Sequence, residues 1–268
     1  MTDTPSPGPT AMRNAEVLFE DGVLAWQQGE YTTATALLEQ SLSLCQDQGA
    51  QTGMLRSLHI LGNVAYSQGN YAAAQARHQE VLQRCQEFDL PEGIASSLNN
   101  LGLVAMRQHD YQTSQALLQE SLRIYQDLAM EPNIVAVLHN LGTAAMQQNN
   151  SAGARAWFWQ SLTRSHAAGN TVLMARSLAA IATLTARCGQ HQSAVRLWGA
   201  AEALNESANA AYPSSDDPDN EHEIEAARNV LGEETFAVTW QVGRVMPFER
   251  VREHALKAWA NEKSGTVK

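Results

Sequence analysis

Aromatic residues make up only 6% of this 268-residue chain, and cysteine occurs three times, at Cys45, Cys85 and Cys188. Three scattered cysteines exclude a disulfide framework and a four-cysteine zinc site. Basic residues are scarce: 18 Lys+Arg stand against 28 Asp+Glu, a formal net charge of −10. That deficit argues against direct nucleic-acid binding, which needs a basic face to neutralise phosphates. No uninterrupted run of 18 apolar residues exists, so the sequence offers nothing to span a membrane. The opening MTDTPSPGPT has no apolar core of a secretory signal. The expectation is a soluble, cytoplasmic protein. What the chain does have is Ala, Leu, Gln and Ser, a balance that favours helices over strands.

It also has a repeat. The segments WQQGEYTTATALLEQSL, YSQGNYAAAQARHQEVL, MRQHDYQTSQALLQESL, MQQNNSAGARAWFWQSL and ARCGQHQSAVRLWGAAE begin at Trp26, Tyr66, Met106, Met146 and Ala186. The spacing is 40 throughout, without insertion. Leu18, Leu58, Leu98, Leu138 and Leu178 form one column; Gly22, Gly62, Gly102, Gly142 and Ala182 form another. Ala25, Ala65, Ala105, Ala145 and Thr185 form a third. Fixed columns at a fixed period mark a helical repeat array. Each unit reads as two helices around a tight turn at Gly29, Gly69, His109, Asn149 and Gly189. The second helices are expected at 31–49, 71–89, 111–129, 151–169 and 191–209. The small-residue column lets two helices approach closely.

These columns resemble the tetratricopeptide repeat, with "LGNVAYSQGNYAAA" and "LNNLGLVAMRQHDY" as close matches. The usual tryptophan column is Leu, and the period is 40 rather than 34. This longer form is similar to the repeats of kinesin light chains, of Pins/LGN adaptors and of the sensor arms of MalT-like bacterial regulators. The resemblance implies an all-α fold, a right-handed α-solenoid of five helix pairs with C-terminal capping helices. The expected organisation is a disordered segment at 1–10, repeats at about 11–50, 51–90, 91–130, 131–170 and 171–210, an acidic loop at 211–220, capping helices at 221–260 and a disordered tail at 261–268. Phe236, Trp240, Val245, Phe248, Leu256 and Trp259 are the expected buried set of that cap.

The C-terminal part, with "ARNVLGEETFAVTWQVGR" and "PFERVREHALKAW", resembles the ends of large bacterial ATPase-type regulators that carry LuxR-like or SARP-like DNA-binding domains. No GxxxxGK[ST] nucleotide loop occurs in this sequence.

At 100° per residue, positions 4, 7, 8 and 11 of each first helix, counting the small column as 8, cluster on a core side. Positions 2, 6, 9 and 13 cluster on the opposite side, the candidate ligand surface. That stripe and its flank carry Arg56, His59, Asn63, Asn99, Asn100, Arg107, His139, Asn140, Arg176 and Arg187. Carboxamides can hold the N–H and C=O groups of an extended peptide together. Arginines can fork onto carboxylates or phosphates. The stripe carries acids only in its first unit, Glu16 and Glu20, which points to a partner segment of acidic character. The alternative for any one position is the solvated face of an amphipathic helix. Asn63 and Asn100 match asparagines of the carboxylate clamp in chaperone-binding tetratricopeptide domains. Its cationic sites hold His59, Ala136 and Asn140 instead, which argues against chaperone tails.

No Ser-His-Asp, Cys-His or paired-carboxylate arrangement stands out, and the acids between Asp216 and Glu225 lack the Gly-centred calcium loop. No catalytic residue, metal or cofactor is expected. The reading is a non-enzymatic scaffold for a protein or peptide segment in bacterial signalling or transcriptional regulation. The alternative is a small-effector sensor arm.

Overall fold

At residue 29, and at every twentieth residue up to 189, the chain takes a left-handed turn. The φ angle lies between 50° and 79° at Gly29, Gly49, Gly69, Asp89, His109, Ala129, Asn149, Gly169 and Gly189. Around these turns the backbone closes a Schellman motif. The Gly29 N–H bonds to the Trp26 carbonyl at 3.0 Å, and the Glu30 N–H to the Ala25 carbonyl at 2.9 Å. The residue that completes the turn also starts the next helix. The side chains of Asn70, Asp110, Asn150 and Asn170 accept from the backbone N–H three residues on. One turn residue therefore serves two helix ends, and this keeps the period free of insertions.

The computed structural model describes residues 9–208 and 218–265. They form α1 (Pro9–Gln27), α2 (Tyr31–Asp47), α3 (Gln51–Ser67), α4 (Tyr71–Glu87), α5 (Pro91–Arg107), α6 (Tyr111–Asp127), α7 (Glu131–Gln147), α8 (Ser151–Ala167), α9 (Thr171–Arg187), α10 (His191–Ser207), α11 (Pro218–Leu231), α12 (Glu233–Arg244) and α13 (Phe248–Gly265). No strand occurs among the described residues. They fall into two compact bodies, divided between Leu128 and Ala129. The second helices end two residues earlier than the sequence suggested, because the turns between repeats use the same left-handed residue as the turns within them. Of the segments expected to be unstructured, 1–10, 211–220 and 261–268, residues 1–8, 211–217 and 266–268 lie outside the described residues. The described parts of those expected segments are helical: α1 starts at Pro9, α11 at Pro218, and α13 runs to Gly265.

In both bodies the small column marks a close helix contact. A β-carbon on Gly22 would lie 2.8 Å from Leu38 Cγ, one on Gly102 2.8 Å from Leu118 Cγ, and one on Gly142 2.5 Å from the Phe158 ring. Leu38, Leu118 and Phe158 are fully buried. A second, polar tie recurs beside this contact. Ser41 Oγ donates to the Ala15 carbonyl at 2.7 Å, Ser121 to Ala95 at 2.7 Å and Ser161 to Val135 at 3.0 Å. Each of these buried hydroxyls binds the second helix of a repeat to the first, so its burial leaves no donor unpaired.

The second body ends in three helices on the fifth repeat: α11 packs on α9 and α10, α12 on α10, and α13 on α9 and α10. Gly199 and Gly243 set the α10–α12 approach, since a β-carbon on either would collide with a backbone carbonyl oxygen of the opposing helix. Arg244 then bridges Glu202 and Glu206, and Trp240 Nε1 donates to Glu202 at 2.7 Å. On α13, Trp259 meets Trp159 edge-on at 5.2 Å and Phe248 stacks on His166 at 4.4 Å. Of the expected buried set, Phe236 is buried and Trp240, Phe248 and Trp259 are partly buried. Val245 is 80% exposed and Leu256 47%. The inward face of α13 is built instead from Val251, Ala255 and Ala258, whose short side chains let the helix lie close.

Candidate functional site

In the first body, α3 and α5 bring a row of carboxamides together. Asn99 Nδ2 donates to Asn100 Oδ1 at 3.3 Å, and Asn100 Nδ2 donates to Asn63 Oδ1 at 3.4 Å. All three residues are partly buried. The row forms because the two first helices lie side by side in register. Asn63 is position 9 of its helix and Asn100 position 6 of the next, so their side chains meet across the pair. Hydrogen bonding between the amides fixes their rotamers in advance of any ligand, which lowers the ordering cost of binding. Ser67, one turn after Asn63, donates to the Asn63 carbonyl at 3.0 Å and accepts from Trp26 Nε1 at 3.1 Å.

Arg107 closes one end of the row. Its Nε donates to the Tyr66 hydroxyl at 2.9 Å, which holds a positive charge at the exposed edge of α5. At the other end stands His59, partly buried, with its ring edge-on to His78 at 5.7 Å. Burial lowers the His59 pKa, and it pushes His78 down to about 3 with a smaller push from His59. Both rings are therefore neutral at pH 7, and a neutral imidazole can donate and accept. Arg56 lies apart from the row. Its Nη1 is 3.4 Å from Glu16 Oε1, and its guanidinium sits 4.2 Å over the Phe19 ring.

The second body carries the remaining expected residues on α7 and α9. His139 packs against Phe158 at 5.3 Å, and burial, with the nearby Arg176 charge, lowers its pKa to about 3. Asn140 is partly buried beside it. Arg176 is exposed. Arg187 Nε donates to Glu223 Oε1 at 3.0 Å, and the Thr183 hydroxyl donates to Asn220 Oδ1. These contacts correct one expectation. Acids on the first-helix face are not confined to the first unit, because α11 brings Glu223 onto the fifth.

Tyr66 and Phe19 were not singled out as site residues from sequence, and Glu223 was read only as one of the acids between Asp216 and Glu225. For α11 a signal exists. Asn220 stands 40 residues after Ala180, in the column of Asn100 and Asn140, and the Thr183–Asn220 spacing of 37 equals that of Asn63–Asn100. The first helix of a degenerate sixth unit thus follows the same period.

The arrangement can grip a polypeptide main chain but holds no nucleophile–base pair that the geometry singles out. Among the described residues no cluster of three or more His, Cys, Asp or Glu could hold a metal ion, and no helix is long and apolar enough to cross a membrane.

A family model described as "Tetratricopeptide repeat" matches residues 15–87 and 93–165, more than half of the chain. No curated protein matches the sequence. Solved structures do share the fold. A Rap protein complexed with Competence and Sporulation Factor is 11% identical with a TM-score of 0.64, covering 93% of this chain and 76% of its own. The Rap conjugation gene regulator of plasmid pLS20, in complex with the Phr* peptide, is 12% identical with a TM-score of 0.63, covering 100% and 80%. Kinesin light chain TPR-like repeats from Podosopora anserina are 19% identical with a TM-score of 0.60, covering 76% and 99%.

Proposed function

Since the chain belongs to the tetratricopeptide-repeat family, we propose that it is a non-enzymatic scaffold whose first-helix face holds an extended segment of a partner protein or a free peptide. The observation that carries this reading is the hydrogen-bonded amide row of Asn99, Asn100 and Asn63. An amide offers a donor and an acceptor at once, as a peptide bond requires. Arg107, held on Tyr66, favours an acidic residue at that end of the segment. His139 and Asn140 form a matching polar pair on the second body, and Arg176 adds positive charge there. Arg187 has a carboxylate partner in Glu223, so it contributes less to an acidic preference than Arg107 does.

The peptide complexes of the two Rap structures support the reading, since those proteins share this fold over nearly the whole chain. They also favour a place in bacterial regulation, as does the resemblance of the C-terminal segment to ATPase-type transcriptional regulators. Cytoplasmic residence is part of the same reading. Selection of random peptides on the immobilised full chain tests it. We expect enrichment of sequences sharing an acidic residue; recovery of no peptide above background would contradict the proposal.

A second reading, a small-effector sensor arm, is favoured by one observation: the cavity beside Arg56 in the first body.

A further inference from the structure

A cavity of about 470 Å³ opens between α1, α2 and α3. Its volume falls within the roughly 300–1,000 Å³ range of small-molecule pockets. At its mouth two adjacent first helices set opposite charges side by side: Glu16 on α1 and Arg56 on α3, 3.4 Å apart. Phe19 lies beneath the guanidinium at 4.2 Å and fixes its plane. Gln48, Thr52, Ser57 and Cys45 line the wall. These groups are polar or small, and none is charged.

The cavity coincides with a local departure in the connecting segment of the repeat. The connection after α2 reads Gln48-Gly49-Ala50-Gln51-Thr52-Gly53. The next three connections each carry bulky apolar residues: Phe88 and Leu90, Leu128 and Met130, Val172 and Leu173. On the helices themselves, Ala15 and Ser41 follow the pattern of Ala95 and Ser121 in the third unit, and it is the second unit that carries larger residues there, Leu55 and Val81. The first junction thus carries Gln48 and Ala50 where the next two carry Phe88 with Leu90 and Leu128 with Met130.

We propose that this cavity binds a free amino acid with an uncharged polar side chain, its carboxylate on Arg56, its ammonium on Glu16 and its side chain among Gln48, Thr52 and Ser57. A zwitterion satisfies both charges when it enters between them. The existing pair is about half exposed, at 50% and 61%, and exposed pairs are worth little, so opening it is cheap. The guanidinium fork matches a carboxylate in two hydrogen bonds, and Phe19 keeps that fork oriented. A charged ligand side chain would find no counter-charge on the wall, which disfavours acidic and basic amino acids. Burial raises the Cys45 pKa, so the wall presents a neutral thiol and no anion to oppose the carboxylate. A residue within a peptide chain has neither terminal charge, so the site separates free amino acids from the segment proposed for the asparagine row. This inference deepens the sensor reading and stands independently of peptide binding.

The test is calorimetry on the full chain with L-glutamine, L-serine and L-threonine, beside L-glutamate, L-lysine, butylamine and butyrate. At least one neutral polar amino acid should bind with a Kd below about 1 mM. Glu16→Gln and Arg56→Gln should each weaken it at least tenfold, with helical circular dichroism and melting unchanged. A third variant, Gln48→Phe with Ala50→Leu, transplants the residues of the next junction and should abolish binding while both charges remain. Asn63 and Asn100 are intact in all three variants, so a selected peptide should bind them as it binds the parent chain. No binding of the neutral amino acids, equal binding of butylamine or butyrate, or undiminished affinity in both charge variants would overturn the proposal.

Discussion

Gly62 sits directly against the imidazole of His78: a β-carbon on that glycine would lie 2.5 Å from the ring's Cε1. The ring occupies the core place that Leu38 and Leu118 fill in the neighbouring repeats, and it is 1% exposed. Its Nδ1 is buried without a hydrogen-bond partner. Burial first, and His59 second, hold its pKa at about 3, against an ordinary value of 6.5. A lowered histidine pKa gives stability that is complete above pH 6.5 and lost as the pH falls toward 3. Between pH 7 and 5.5 this one ring should cost the fold about 1 kcal/mol. His78→Leu should therefore flatten the loss of stability over that interval, and should also raise stability at pH 7 by removing an unsatisfied polar atom. Urea unfolding at the two pH values checks both outcomes. Parallel curves for the two proteins would contradict them.

A β-carbon on Gly102 would lie 2.8 Å from the Leu118 side chain, the contact that the packing column makes in the third unit. Gly102→Leu should cost about 1–3 kcal/mol through overpacking. Thermal unfolding followed by circular dichroism measures it, and full native stability would mean that the column does not set the α5–α6 distance.

That column was legible in the sequence because packing imposes it: every unit must bring its two helices together at the same place, so the small residue recurs at the same spacing. The amide row was legible in part for the same reason. Asn63 and Asn100 were placed on one face by arithmetic, but their direct contact needed the register between α3 and α5. His78 was not legible as core, since a histidine in a leucine column reads equally as a surface substitution. The carboxylate beside Arg187 was not legible for a related reason. Counting charges along first helices could not show that Glu223 arrives from α11, a segment without the small column that marks the other units. Val245 and Leu256 are exposed because the C-terminal segment has no repeat column to fix which way an apolar residue faces.

The cap depends on backbone-to-backbone approach. A methyl group on Gly243 would meet the Arg196 carbonyl oxygen, and no side-chain movement can relieve a clash with backbone. Gly243→Ala should destabilise the second body by about 1–2 kcal/mol, overpacking outweighing a helix-propensity gain of about 1 kcal/mol. Hydrogen exchange should rise in α12 and leave α3 to α5 unchanged. Protection in α12 equal to that of the parent would contradict this.

Ala129 is exposed and holds a φ of 54°, where Gly49 and Gly169 stand at the equivalent turns. Ala129→Gly removes the β-carbon strain of a left-handed residue without losing any packing. The variant should gain roughly 0.5–1 kcal/mol, offset in part by the larger chain entropy of unfolded glycine. A shift of the urea midpoint to lower concentration would count against the turn assignment.

The account rests most heavily on the asparagine row, and calorimetry of a selected peptide against Asn63→Ala with Asn100→Ala tests it most directly. Both side chains are partly buried on the first-helix face and outside the helix-pair core, so the double variant should keep its helical content. The predicted result is affinity at least tenfold weaker, about 1.4 kcal/mol, with unchanged circular dichroism. Undiminished affinity in a folded double variant would contradict the claim that this face holds the partner.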